Sequence, residues 1–136
     1  MTFRFLDHTA DLYLEAEADS EAGVLREAAG ALLRLVWDLE PPPASVWREV
    51  EIASEPAEDR IVSLLTELLF LVDAPDGWPV DLRDLEILPE SIRFRVGFVP
   101  RETARPEGRE VKAVSRRDLS LRETEGIWRA SCLLDL

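Results

Sequence analysis

The 136-residue sequence contains no asparagine and no glutamine, and its only lysine is Lys112. Loss of Lys and Asn with Arg kept is what a GC-rich genome produces; the missing Gln fits avoidance of heat-labile amides. Cysteine occurs once, at Cys132, which excludes an internal disulfide framework and any cysteine-rich metal site. His8 is the sole histidine, so no Cys/His ligand cluster can form. The longest apolar run, around residues 68 to 72, is far too short to span a bilayer. The opening MTFRF lacks the basic and apolar regions of a secretory signal. These absences predict a cytoplasmic protein with no membrane association. A Gly-rich phosphate loop and a GxSxG elbow are missing as well, which removes two common catalytic signatures.

Negative charge is what the chain has in quantity: 28 acidic against 16 basic residues, for a net charge of −12. Such a surface repels a phosphate backbone at long range, because nucleic-acid affinity rests on many Lys and Arg contacts. Tight RNA binding by the chain alone is therefore not expected, whereas protein partners and cations remain open. Hydrophobic residues make up 46%, enough for one domain over residues 1–136 with a single core.

Periodicity organises that domain. Phe3 to Leu6 and Leu12 to Ala18 read as strands around the tight segment His8-Thr9-Ala10-Asp11. In the second, Leu12, Leu14, Ala16 and Ala18 alternate with Tyr13, Glu15, Glu17 and Asp19, one face apolar and one acidic. From Ser20 to Asp38 the period changes: Val24, Leu25, Ala28, Ala29, Leu32, Leu33 and Val36 mark one helical face. Asp19 or Ser20 can cap its start, and Pro41-Pro42-Pro43 ends the segment. Val46 to Ser54 is a third strand. A second helix is expected from near Pro56 to Val72, its stripe widened by Val62, Phe70 and Leu71 until most sides are buried. Strands follow at Val80–Leu88, Ile92–Val99, Glu110–Ser115, Leu119–Glu123 and Trp128–Leu134, with a hairpin turn at Glu125-Gly126. Two helices among about seven strands, without regular βαβ alternation, indicate an α+β fold with the helices packed on the sheet.

Few residues can carry chemistry. His8 reads either as a hydrogen-bonded strand-end histidine or as a site residue. Cys132, among apolar neighbours, reads as core. Asp11 follows the short turn three residues after His8, so it is either a turn former or one arm of a site. Asp135 ends an otherwise apolar strand and stands beside the terminal carboxylate of Leu136. Hard cations such as Ca²⁺ or Mg²⁺ take several oxygen ligands, and two adjacent carboxyl groups supply part of that shell; a frayed acidic tail is the plainer alternative. The acids at positions 15, 17, 19 and 21 read as a solvated face, and the four tryptophans as core edges. Arg116-Arg117 is the one local basic pair, facing either a phosphate, an acidic partner, or nothing but solvent.

Four segments, in order, resemble one known family. Phe5-Leu6-Asp7-His8-Thr9-Ala10-Asp11 resembles the archease opening, in which a strand runs into His-Thr-Ala-Asp. Residues Ser63 to Asp73 are similar to that family's second helix, and Glu110-Val111-Lys112-Ala113-Val114-Ser115 to its Glu-Ile/Val-Lys-Ala strand. Trp128 to Leu136 resembles its final strand, which closes in Asp and one aliphatic residue. The resemblance implies a non-enzymatic, metal-binding protein that activates an RtcB-type RNA ligase by promoting guanylylation and turnover, in tRNA splicing and RNA repair. It implies metal ligation by Asp11, Asp135 and the carboxylate of Leu136, with a divalent cation (Ca²⁺, or Mg²⁺ or Mn²⁺ in the cell). One departure stands out: the family usually has Tyr-His where this chain has Arg116-Arg117. The competing readings are a small metal-dependent hydrolase or phosphoryl-transfer enzyme using Asp11 and Asp135, and a chaperone of RNA-processing enzymes.

Overall fold

The computed structural model describes residues 2–8, 11–38, 40–54, 56 and 59–136, with the backbone alone for Asp7 and His8. The chain order is β1 (Thr2–His8), β2 (Asp11–Ala18), α1 (Glu21–Trp37), β3 (Val46–Ala53), α2 (Arg60–Asp73), β4 (Trp78–Ile87), β5 (Ser91–Val99), β6 (Ala113–Thr124) and β7 (Ile127–Asp135). The seven strands divide into two antiparallel sheets, β1-β2-β7-β6 and β3-β5-β4. Both helices touch strands of both sheets, α1 through β2 and β4, α2 through β6 and β4. The α+β architecture is the one expected, with the strands split over two sheets flanking the helices.

Alternation in β2 does what its pattern dictates. Leu12, Leu14, Ala16 and Ala18 are buried, and their cross-strand neighbours on β7, Leu134, Cys132 and Ala130, are buried with them. The helices close over this face. Ser20 caps α1 by accepting from the Gly23 amide at 2.9 Å, which satisfies one of the unpaired donors of the first turn. Leu25, Leu32, Leu64, Leu65, Leu68 and Phe94 have no accessible surface, each side chain contributing on the order of 2–3 kcal/mol by leaving water. Glu21, read as part of a solvated face, instead pairs with Arg60 at 2.7 Å, and both side chains are mostly buried. That pair ties the first turn of α1 to the first turn of α2.

Three expectations need correction. The second helix begins at Arg60, not near Pro56, because the Asp59 amide donates to the Pro56 carbonyl in a preceding turn. Its burial stops early: Ile61, Val62, Leu64, Leu65 and Leu68 are buried, but Phe70 is 67% exposed. The widened stripe therefore overran the surface that the sheets can cover. Glu110–Ser115 and Leu119–Glu123 are not separate strands. Residues 110–112 precede β6, and one strand covers the rest, with the register broken between Ser115 and Ser120.

That break has a local cause. Between the Ser115–Leu133 and Ser120–Ser131 pairs β6 has four residues, 116–119, where β7 has only Cys132, so the strand bulges out of the ladder by three residues, with Asp118 in the left-handed region at φ 60°. The Tyr13 hydroxyl donates to the Asp118 carbonyl at 3.3 Å and hydrogen-bonds Ser131 Oγ at 3.1 Å. Arg116 reaches the other way and pairs with Asp59, at the start of α2, at 2.6 Å. Leu133 points away from the main core yet is only 2% exposed.

Candidate metal centre

Two of the sequence-predicted ligands meet at one end of the four-stranded sheet. Asp11 is the first residue of β2 and Asp135 the last of β7, and in the antiparallel register they are direct partners. Cross-strand partners share a face and place their Cβ atoms about 4.5–5.5 Å apart. The face follows from the pleat. Leu12 and Leu134 point inward, so their neighbours Asp11 and Asp135 point outward, together with Tyr13, Glu15, Leu133 and Ser131. Asp11 is half-buried and Asp135 exposed.

The same row extends across the sheet, from His8 on β1 through Asp11 and Asp135 to Ala113 on β6. His8 and Asp11 are thus backbone neighbours in the β1–β2 pairing. Thr9, Ala10 and the side chain of His8, a candidate site residue, lie outside the described residues. Among the described residues, no third His, Cys, Asp or Glu side chain joins the pair in a metal-sized group.

Leu136 follows directly. Its side chain is partly buried and packs against the core, so the residue after Asp135 is anchored and the frayed-tail alternative does not describe this end. A third element steadies the tip: the Lys112 amide donates to the Asp135 carbonyl at 2.7 Å. Upstream, the Gly108 and Arg109 amides donate to the Val36 and Leu35 carbonyls at 2.8 and 2.9 Å, closing the last turn of α1. At Gly108 any Cβ would run into the Leu35 carbonyl oxygen, so the close approach requires glycine. The end of α1, residues 108–112 and the tips of β2 and β7 are thereby fastened together.

The donors that Asp11 and Asp135 offer at this tip are carboxylate oxygens. Such a set suits a hard divalent cation, with water completing the shell. Without a cation, two like charges placed directly opposite repel. Cys132 can take no part as a nucleophile, since it is fully buried and burial pushes its thiol up to about 12. The braces described above, Tyr13 on Asp118 and Arg116 on Asp59, were not legible in the sequence, because each joins residues that nothing local connects.

The structure is a small two-sheet α+β domain with two aspartates facing each other across neighbouring strands at one sheet end. Residues 3–136 match the model of the Archease protein family, and the chain belongs to that family. It is 30% identical to protein archease of Methanosarcina mazei over 141 residues, covering 98% of this chain and 95% of that one. It is also 30% identical to the probable protein archease of Mycobacterium tuberculosis, with 98% and 74% covered. The solution structure of protein 1598 from Methanobacterium thermoautotrophicum superposes with a TM-score of 0.79 at 26% identity, covering 98% of both chains. A crystal structure from Thermotoga maritima, described as an archease and possible chaperone, has the same fold (TM-score 0.72, 18% identity, 96% and 94% covered). No helix among the described residues is long and apolar enough to cross a membrane.

Proposed function

We propose that this archease is a metal-binding activator of an RtcB-type RNA ligase, acting in the cytoplasm in tRNA splicing and RNA repair, and has no ligase chemistry of its own. The observation that carries the reading is the direct cross-strand pairing of Asp11 with Asp135 beside an anchored Leu136. Asp11 from β2, Asp135 from β7 and the carboxylate of Leu136 would hold the cation: Ca²⁺, or Mg²⁺ or Mn²⁺ in the cell. When bound, the cation supplies positive charge for phosphate oxygens and cancels the repulsion between the two aspartates. The protein's own contribution is rigid presentation. Its ligands sit at strand ends, braced by the Lys112 amide and the capped end of α1, and this charged tip would insert near the ligase active site. The ligase as partner is supported by family membership, and the lack of a phosphate cradle in the sequence favours an activator over an enzyme.

The test is guanylylation and multiple-turnover ligation by the cognate ligase, with trace amounts of wild type or Asp11→Ala. Stimulation by wild type alone is the expected result. RNA turnover by the purified chain itself, abolished in Asp11→Ala, would instead make it a metal-dependent hydrolase or phosphoryl-transfer enzyme. Stimulation only of a ligase that is otherwise unstable would make it a chaperone.

A further inference from the structure

The chain's positive charge is distributed unevenly. Six of its 16 basic residues fall within residues 105–122, and all six are exposed. Eight of the ten others form ion pairs with carboxylates. Within the 105–122 stretch, among the described residues, only Arg116 does. Among the described residues, Arg109, Lys112, Arg117 and Arg122 have no carboxylate within ion-pair distance.

Their placement is not scattered. Arg109 is fixed at the end of α1 by its amide, and Lys112 adjoins Asp135. Arg117 belongs to the excursion that leaves the ladder just after Ser115, two pairs down from Asp135, and Arg122 lies opposite Arg129 further along. The cations therefore start at the carboxylate tip and follow β6, an edge strand of its sheet. Alongside β6, a groove of about 1040 Å³ opens on the outer sheet face; Arg4, Arg129, Glu15 and Glu17 line it as two ion pairs, Asp118 adds a carboxylate, and Arg122 is its one arginine without a carboxylate partner among the described residues.

We infer that this edge is a track for the phosphodiester backbone of single-stranded RNA, used when the tip is engaged with the ligase. The inference rests on the proposed function for the source of the RNA. Chemistry favours a polyanion. Elsewhere most of the basic side chains are already paired with carboxylates, so the cationic groups left for an approaching phosphate chain are concentrated along β6. Guanidinium groups without a carboxylate partner keep donor forks that match phosphate oxygens, although Arg122 also donates through Nε to Ser120 Oγ at 3.2 Å. The net charge of −12 keeps the interaction weak for the isolated chain, so that RNA is held only where the ligase presents it.

The experiment compares wild type with the triple variant Arg109→Ser/Arg117→Ser/Arg122→Ser. All three side chains are exposed and, among the described residues, have no carboxylate partner, and Ca²⁺ calorimetry together with melting checks that tip and fold are intact. Binding of a labelled single-stranded RNA oligonucleotide to the chain alone, with Ca²⁺ present, is followed by anisotropy from low to moderate salt. Wild type should bind weakly, with a log–log salt slope steeper than that of the variant by about 2, since each phosphate contact on a single strand contributes about 0.7. Wild type that shows no salt-dependent binding, or a variant with an unchanged slope, overturns the proposal whatever the ligase does. In parallel, the affinity of both proteins for the ligase is measured with and without bound RNA. Loss confined to the RNA-bound ligase supports the track; equal loss with RNA-free ligase makes β6 a protein-docking edge and overturns it. RNA binding that depends on the arginines, in a chain that stimulates no ligase, would sink the activator reading and leave the track standing.

Discussion

Asp11 and Asp135 stand directly opposite each other at the last rung of the β2–β7 ladder, on the solvent side of the sheet. Their stability signature should therefore reverse with calcium. Without a divalent cation, Asp11→Asn removes a like-charge pair and should melt slightly above wild type, by some tenths of a kcal/mol to about 1 kcal/mol. With Ca²⁺ at about 100 times its Kd, wild type should gain roughly 2.7 kcal/mol and the variant much less. Thermal melts in EDTA and in Ca²⁺ check both arms. The same order of stability in both buffers would remove Asp11 from the site.

The carboxylate of Leu136 can be tested separately from its side chain. A C-terminal extension turns a charged ligand into a neutral amide carbonyl, a weaker donor to a hard cation, while Leu133, Leu134 and Leu136 keep their packing. Calorimetry should show Ca²⁺ affinity reduced several-fold or more in an extended protein relative to one tagged at the N-terminus. The melting temperature in EDTA should be the same for both. Equal Ca²⁺ affinity would make the terminal group a bystander.

Cys132 should impose a pH dependence at the alkaline end. Burial raises its thiol from 9.0 to about 12, so the folded protein keeps a proton that the unfolded chain releases. The contribution is complete below pH 9 and is lost as pH rises toward 12, with a slope approaching 1.4 kcal/mol per pH unit. Urea titrations at pH 8 and pH 10.5 should show wild type losing more stability over that interval than Cys132→Ala. Parallel losses would mean that the thiol is accessible to water.

The β6–β7 turn offers a stabilising change. Glu125 and Gly126 both have positive φ, 54° and 79°, the geometry of a two-residue turn that favours Asn-Gly. Glutamate is poorly suited to the first position. Glu125→Asn should stabilise by about 0.5–1 kcal/mol, read as a rise of a few degrees in Tm. A fall would mean that the Glu125 side chain makes a contact outweighing its backbone strain.

Local physics made much of this legible in advance. The alternation of Leu12 to Ala18 identified the inner face of β2, the spacing from Val24 to Val36 identified α1, and Ser20 is the cap its residue type suggested. Asp11 and Asp135 were singled out by motif, but their juxtaposition depends on register, which no local pattern contains. The split into two sheets, the excursion at 116–119 and the Glu21–Arg60 and Arg116–Asp59 pairs all depend on tertiary packing. Phe70 was misread for a related reason, since an apolar helical position says nothing about whether a neighbour reaches it.

The order of strands in the larger sheet also bears on how the protein is made. β2 emerges early, but one of its two neighbours in the sheet is β7; Tyr13 and Ser131, hydrogen-bonded to each other, are 118 residues apart in sequence. At about 5–20 residues per second of synthesis, the first hairpin waits several seconds or more beside a vacant position. During that interval the apolar face of β2 and the open edge of its backbone are exposed to other chains. The acidic side chains of Glu15 and Glu17, spaced along the opposite face, give the waiting strand a charge that discourages it from pairing with copies of itself.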